Sequence, residues 1–497
     1  MMLSSSRGLE AWTPSVWILI RWDHRLPSRS RHARTDSAIA KESAPYAQRS
    51  TCPAGSPQSW HWIRPDLPRG GTQAVVWTVM APDGTPESSL CRVFLNGKPV
   101  FVYASEVADV VLASAEGDVD VDIVRAQPFK SVRVRPLARG VAAQVADGRV
   151  RFTVRAPAKL SVEFDGVHHP VFLLLQGPER TLECGVAPEY IFSAGKHYEI
   201  GEVALRSGET VHIEAGAVVH GAFLARDAAG VSISGRGVLL GGYMRADGHV
   251  PPSIRAVGCR DFSVQGITLL DGRAWHVVPT QSVGVVVDDC NIVSGAGVAD
   301  GVDVVSCRDV TIRGCFIRTK DDCIAVKADG SGVVCGVDVS QCVLWNAEWG
   351  NAMEIGYETR CAEISDIRFH DIDVIHCEFE GHQSGAVCSI HNGDRALVQR
   401  VSYDNIRVED AREKLIDVKI LHARYSQDRE RGQVRGVRFR DVWVVDGPFP
   451  VSIIQGYDDA HLVEDVCFTG LTVHGRRVTT ANEARMVVEL ARGVAFC

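Results

Sequence analysis

One eight-residue pattern, apolar-x-apolar-x, then Gly, Asp, Asn or Gln, then x-x-apolar, recurs nine times beyond residue 195. The copies are VSISGRGV (231–238), FSVQGITL (262–269), VVVDDCNI (285–292), VTIRGCFI (310–317), VDVSQCVL (337–344), IRFHDIDV (367–374), VSYDNIRV (401–408), VRFRDVWV (437–444) and VCFTGLTV (466–473). Their spacing fits one solenoid coil plus loops of variable size. Each unit holds two β-rich segments and no amphipathic helix pattern, which excludes helical repeats. An all-β fold follows, with a right-handed parallel β-helix over residues 189–497. Equivalent residues of successive coils then stack at about 4.8 Å, so every repeated position becomes a ladder. Cys290, Cys315 and Cys342 share one such position and read as core packing.

Between the repeats lies a second strand per coil: GVDVV (301–305), CIAVK (323–327), AMEIG (352–356), VCSIHN (387–392), LIDVKI (415–420) and VSIIQG (451–456). Val302 and Val304, Ile324 and Val326, Met353 and Ile355, Cys388 and Ile390, and Ile416 and Val418 fit the inward phase. Alternate residues face out. That outward set includes Asp303, Lys327, Glu354, His391, Asp417 and Lys419, and so marks a candidate groove.

Upstream, residues 68–188 carry short alternating segments with turn residues between them, the pattern of a small antiparallel β-sandwich. Asn96-Gly97 within CRVFLNGKPVFVY is its hairpin signal. Residues 1–67 are rich in Ser, Arg and Pro without periodicity and read as a disordered leader or an over-extended start. The apolar stretch VWILI at 16–20 is too short for a signal core or a membrane span, so a cytoplasmic location and no membrane partner are expected.

A formal charge of -8 argues against nucleic acid as partner. The fifteen cysteines form no CxxC pair and do not cluster with histidines at zinc spacings, so neither a metal nor another cofactor is expected and the thiols read as reduced. A neutral or weakly charged partner fits better.

Asp300 and Asp303 open one groove strand, and Asp321 and Asp322 open the next. Stacking brings two acid pairs together one coil apart. Glycosidic cleavage needs one carboxylic acid to protonate the leaving oxygen and one carboxylate to activate water or attack carbon. Crowded carboxylates raise one another's pKa, which lets one keep its proton near neutrality. The same residues would also suit calcium, or could hold turns in a carbohydrate-binding or adhesive β-helix without catalysis.

At these residues the sequence resembles the polygalacturonase-like glycoside hydrolases of family 28 and the related dextranase-type β-helix hydrolases of family 49. The family pattern Asn-Thr-Asp-Gly-x-Asp corresponds to VADGVD (298–303), and Asp-Asp-Cys-Ile to DDCI (321–324). By position, the resemblance implies that Asp321 is the general acid, that Asp300 and Asp322 activate the water, and that the anomeric centre inverts. Asp303 is expected to orient the strand or bind sugar. The family's Gly-His-Gly motif falls at GNAMEIG (350–356), where Asn351 stands in place of the His and Glu354 adds a carboxylate. Its Arg-Ile-Lys motif, which pairs with a uronate, falls at GAVCSIHNG (385–393), which has neither Arg nor Lys. His391 is expected to reach a sugar hydroxyl, and Lys419 has the phase to face the groove. Trp275, Trp345 and Trp349 fall in loops where they could stack on sugar rings. The substrate expected is thus a carbohydrate other than true polygalacturonate. A β-helix polysaccharide lyase is the competing enzyme class.

Overall fold

The computed structural model describes residues 75–179, 188–330, 332–379 and 384–497. The expected leader, residues 1–67, lies outside them.

From Tyr190 to Phe496 the chain winds as a right-handed parallel β-helix, its strands pairing in parallel with their counterparts one coil later, apart from a short antiparallel pair, Thr472–Val473 with Arg476–Arg477. A coil such as Arg308–Arg313, Phe316–Thr319, Ile324–Asp329 has three strands where the sequence suggested two. The extra strand is the tail of the repeated pattern itself. The pattern's fifth residue is a corner: Gly235, Gly266, Asp289, Gly314, Gln341, Asp371, Asn405, Asp441 and Gly470 all have positive φ. That conformation is open to Gly and tolerated by Asn and Asp, which explains the composition of the position.

The corner breaks the alternation and turns the next residue back into the core. Cys290, Cys315 and Cys342 sit there, buried. Further in, Phe369, Tyr403, Phe439, Phe468 and Phe496 stack face to face, with successive ring centroids 5.1, 5.0, 4.9 and 4.7 Å apart. These distances match the strand spacing, so in-register pairing alone brings the rings into contact.

Before the helix, the two-residue turn Asn96-Gly97 joins Cys91–Leu95 to Lys98–Val100, with positive φ at both residues. The long strand Asp109–Arg125 pairs with Val75–Trp77, Val102–Ala104 and Val171–Gln176 along its first half, and with Cys91–Leu95 and Arg149–Ala156 along its second. One pair departs from the antiparallel expectation: Val171–Gln176 runs parallel to Asp109–Ser114. That strand, fully buried, reads VFLLLQ, and a continuous apolar run does not reveal its direction.

Phe172 packs on Phe316 and Trp345 of the β-helix, and Gln176 Nε2 donates to the corner carbonyls of Gly266 and Asp289 at 2.8 and 2.5 Å. Arg135 Nη1 donates to Glu409 at 2.7 Å, and His376 lies 2.9 Å from both Glu163 and Asp410. This contact covers the face of the short strands, a different face from that of the groove strands.

Removing one ring from the aromatic ladder leaves a void that neighbours fixed by the ladder hydrogen bonds cannot close. Phe439→Ala should therefore cost about 3–5 kcal/mol, read from urea unfolding; a loss below about 1 kcal/mol would show that the stack contributes little.

Candidate active site

The groove face is built by the strands Val302–Val305, Ile324–Asp329, Met353–Arg360, Ala386–Asn392 and Lys414–Ile420. Val302, Ile324, Met353, Cys388 and Ile416 stand on one another pointing inward, as do Val304, Val326, Ile355, Ile390 and Val418. Outward, Asp303, Ala325, Glu354, Ser389 and Asp417 form one column, and His391 stands beside Lys419 in the next. After Val326 the register shifts: Ala328 pairs with Thr359, so the Met353–Arg360 strand bulges by two residues opposite Lys327.

Backbone bonds align the turns that precede these strands. Gly301 N donates to Asp322 O, and Cys323 N donates to Asn351 O, both at 2.9 Å. Asp300, Asp322 and Asn351 therefore hold equivalent places on three successive coils. Gly350, at φ 70°, packs its backbone onto the acid pair: a Cβ there would lie 2.5 Å from Asp322 N and 2.6 Å from Asp321 Oδ1. Asn351 donates to Asp322 Oδ1 from its backbone N at 2.7 Å and from Nδ2 at 3.1 Å, and its own Oδ1 accepts from Ala386 N at 3.0 Å.

Four carboxylates thus share one small volume, and a single internal cation joins two of them. Lys327 Nζ lies 2.9 Å from Asp300 Oδ2 and 2.8 Å from Asp303 Oδ1, and 4.2 Å from the centre of the Trp275 ring. Burial works against the ammonium charge, but Asp300 and Asp303 outweigh it and hold the Lys327 pKa well above the usual lysine range. Burial, then the neighbouring Asp303, pushes Asp300 well up; burial, then Asp321 and Glu354, does the same to Asp322. Asp321 is the more accessible of the DD pair. Burial pushes it up to about 6, with Lys327 and Arg424 opposing and Asp303 adding to the rise. A carboxyl of that kind keeps a proton available near neutrality.

One coil further, the outward residues lie beneath a cover, whereas their phase alone suggested solvent. Glu354, His391 and Asp417 are all fully buried. His391, expected to offer a nitrogen to a sugar hydroxyl, has both nitrogens engaged: Nδ1 lies 2.9 Å from Glu354 Oε2, and Nε2 3.2 Å from Asp417 Oδ2. The Tyr357 ring stacks on it at 4.5 Å. Lys419 Nζ is held by Asp417 at 2.9 Å.

Of the three tryptophans, Trp275 covers Lys327 and Trp349 is exposed beside Phe379. Trp345 is instead buried in the strand Val343–Asn346, under the sandwich, with Nε1 bonded to Glu378 at 2.6 Å. It is not available to a sugar ring.

Sequence reasoning left Tyr357 and His276 off the site; it set Lys327 on the groove face and Trp275 among the possible sugar-stacking rings, without the ion bridge and the cover that the two form. His276 donates from Nδ1 to the Asp300 carbonyl at 2.7 Å, and burial lowers its pKa to about 4, so it is a neutral imidazole fixing the backbone of Asp300. Lys327 carried a usable signal, its outward phase one coil from Asp303; the covering rings come from loops whose paths no pattern specifies.

With this geometry in view, the chain belongs to glycosyl hydrolases family 28, whose family model matches residues 228–488, more than half its length. It is 24% identical over 196 residues to a probable polygalacturonase of Arabidopsis thaliana, covering 38% of this chain and 41% of that protein. An exopolygalacturonase of Rhizopus delemar is 19% identical over 247 residues, 47% of this chain and 62% of its own length. The chain thus spans less than two thirds of either relative. Dex49A from Penicillium minioluteum superposes with TM-score 0.64 at 14% identity, covering 86% of this chain and 99% of that one. A hyperthermoactive exopolygalacturonase from Thermotoga maritima gives 0.50 at 14% identity, over 62% and 83%. At such identities the likeness to these structures is one of fold.

Lys327→Met tests the charge balance without reference to turnover. Because the pKa of folded Asp300 lies above its unfolded value, stability linked to its proton is present at low pH and is lost as pH rises from the unfolded value toward the folded one. Removing the cation widens that gap. The variant should lose about 3–5 kcal/mol at neutral pH and clearly less in mild acid, by urea unfolding at both; a loss independent of pH would contradict the assignment.

Proposed function

We propose that the chain hydrolyses O-glycosidic bonds of a neutral or sparsely charged poly- or oligosaccharide, with inversion at the anomeric carbon. The observation that carries this reading is the buried acid cluster of Asp300, Asp303, Asp321 and Asp322, bridged by Lys327 and opened to solvent at Asp321. Asp321 gives its proton to the leaving glycosidic oxygen as the bond to the anomeric carbon breaks. A water attacks that carbon from the opposite face and passes its proton to the carboxylate of Asp300 or Asp322. The product is a hemiacetal of inverted configuration, and the proton balance is restored through solvent.

Charge supports the substrate class. A uronate polymer brings one carboxylate per ring and needs cations to offset its desolvation and repulsion. Lys327 is bound to Asp300 and Asp303, and Lys419 to Asp417, while the strand in the place of the family's Arg-Ile-Lys carries Val387 and Ser389.

Three measurements check this. In a panel of neutral and acidic glycans followed by anomer-resolved NMR, a neutral substrate should be turned over faster than polygalacturonate, with the inverted anomer appearing first; equal rates on polygalacturonate would overturn the substrate reading. On the best substrate, kcat/KM should fall on the alkaline side as Asp321 loses its proton near pH 6. Asp321→Asn should lower turnover at least about a hundredfold with little change in stability, and near wild-type turnover in that variant would refute its role as acid.

A further inference from the structure

At the rim of the acid cluster the protein leaves a large apolar ring uncovered. Trp349 is 46% exposed and Val298 is 50% exposed, and both lie in turns that lead into groove strands. The indole of Trp349 reaches down to the turn before Asp300: a Cβ on Gly297 would lie 3.7 Å from its Nε1 and 3.9 Å from its Cδ1. Phe379, from the following coil, packs against the same ring at 5.4 Å between centroids. Gly297 and Trp349 belong to coils two apart, so the indole spans the level of the turn between them, the one that carries Lys320 and Asp321.

Backbone bonds fix this ring to the acid's own turn. Trp349 N donates to Lys320 O at 2.6 Å, while the buried Asn346 donates from Nδ2 to Asp321 O at 2.8 Å and to Trp349 O at 2.5 Å. One side chain thus ties the turn of the acid to the turn of the indole. The next residue, Gly350, is the one whose backbone packs onto Asp321 Oδ1 and Asp322 N. Folding alone is a poor reason to hold the ring there, because a half-exposed indole forfeits much of what its burial would contribute. An apolar surface left open beside a reactive cluster is instead the mark of a ligand contact. The charges next to it are matched, Lys320 Nζ lying 2.9 Å from Glu348 Oε2, so that pair brings no net charge to the ring.

We propose that Trp349, backed by Phe379, is the platform on which a neutral pyranose ring of the glycan stacks beside the bond that Asp321 protonates, a role that rests on the acid/base reading above. A pyranose carries C–H groups on its faces and hydroxyls around its edge, so it can lie flat on an indole while its hydroxyls stay with water or with the acids. The electron-rich face of the indole attracts those slightly positive C–H groups and offers nothing to a carboxylate. Because its backbone is already held from both sides, the platform loses little freedom when the sugar arrives.

The test reads binding and turnover separately. Full-length Asp321→Asn protein is labelled with fluorotryptophan and followed by fluorine NMR, the resonance that disappears on adding Trp349→Phe being that of Trp349. Isomaltotetraose, maltotetraose, mannotetraose, xylotetraose and trigalacturonate are titrated in. At least one neutral tetrasaccharide should shift the Trp349 resonance to saturation at a concentration where trigalacturonate leaves it in place. On the best substrate of the wild type, Trp349→Ala should raise KM about tenfold and leave kcat within about threefold, the pattern of a contact made equally in the ground and transition states. Trp349→Phe should recover most of that loss, and Tyr457→Ala, which removes an exposed ring elsewhere, should change neither constant. A Trp349 resonance unmoved by every neutral sugar, or an unchanged KM in folded Trp349→Ala, overturns the platform and leaves hydrolysis standing; an equal response to trigalacturonate overturns the preference for a neutral ring. If Trp349→Ala does not fold, the titration decides alone. If wild type cleaves no glycan, the acid/base reading has failed, and a saturable shift at Trp349 still supports the platform while its absence overturns it.

Discussion

In-register parallel stacking is the constraint from which the rest of this structure follows. Each residue stands on its counterpart one strand spacing away, so like sits on like wherever the repeat is faithful. For apolar side chains this is favourable, and the ladder from Phe369 to Phe496 is its clearest result. For charged ones it is costly. A carboxylate column at about 4.8 Å spacing repels itself.

The outward columns show how that repulsion is managed. Ala325 separates Asp303 from Glu354, and Ser389 separates Glu354 from Asp417, so the acids of one column fall on alternate coils. Cations enter from the adjacent column, Lys327 toward Asp300 and Asp303, and His391 between Glu354 and Asp417. Where the acids lie in the turns instead, at Asp300 and the Asp321-Asp322 pair, no spacer intervenes, and there the carboxyls are pushed upward together. The proposed chemistry falls where the stacking rule is left unrelieved.

Much of this was legible in the chain. The nine corner residues announce the coil because only a few residue types accept positive φ, and strict alternation fixes which groove residues face the core. The meeting of the two acid pairs follows from the same periodicity. What was not legible depends on loops and on long side chains. Nothing local says that Trp275 will lie over Lys327 or Tyr357 over His391, so the outward residues looked solvated when they are buried. Trp345 failed for a related reason: the short strand that holds it lies beneath the sandwich, and a contact between segments so far apart leaves no trace in either pattern.

The two-residue bulge opposite Lys327 has an evolutionary corollary. Solenoids lengthen by duplicating coils, and most coils here could be copied beside themselves without disturbing their neighbours. The coil that carries Glu354 could not. Its strand Met353–Arg360 fits a shorter strand below, across the offset between Val326 and Ala328, and rejoins regular register with Ala386–Asn392 above. A second copy placed on the first would lack that offset, and one moved elsewhere would bring a bulge with nothing to match. These two coils must be inherited as a pair, and the single-residue register shifts elsewhere on the ladder, as between Leu344 and Trp345 or Lys414 and Ile416, tie their own coils together in the same way.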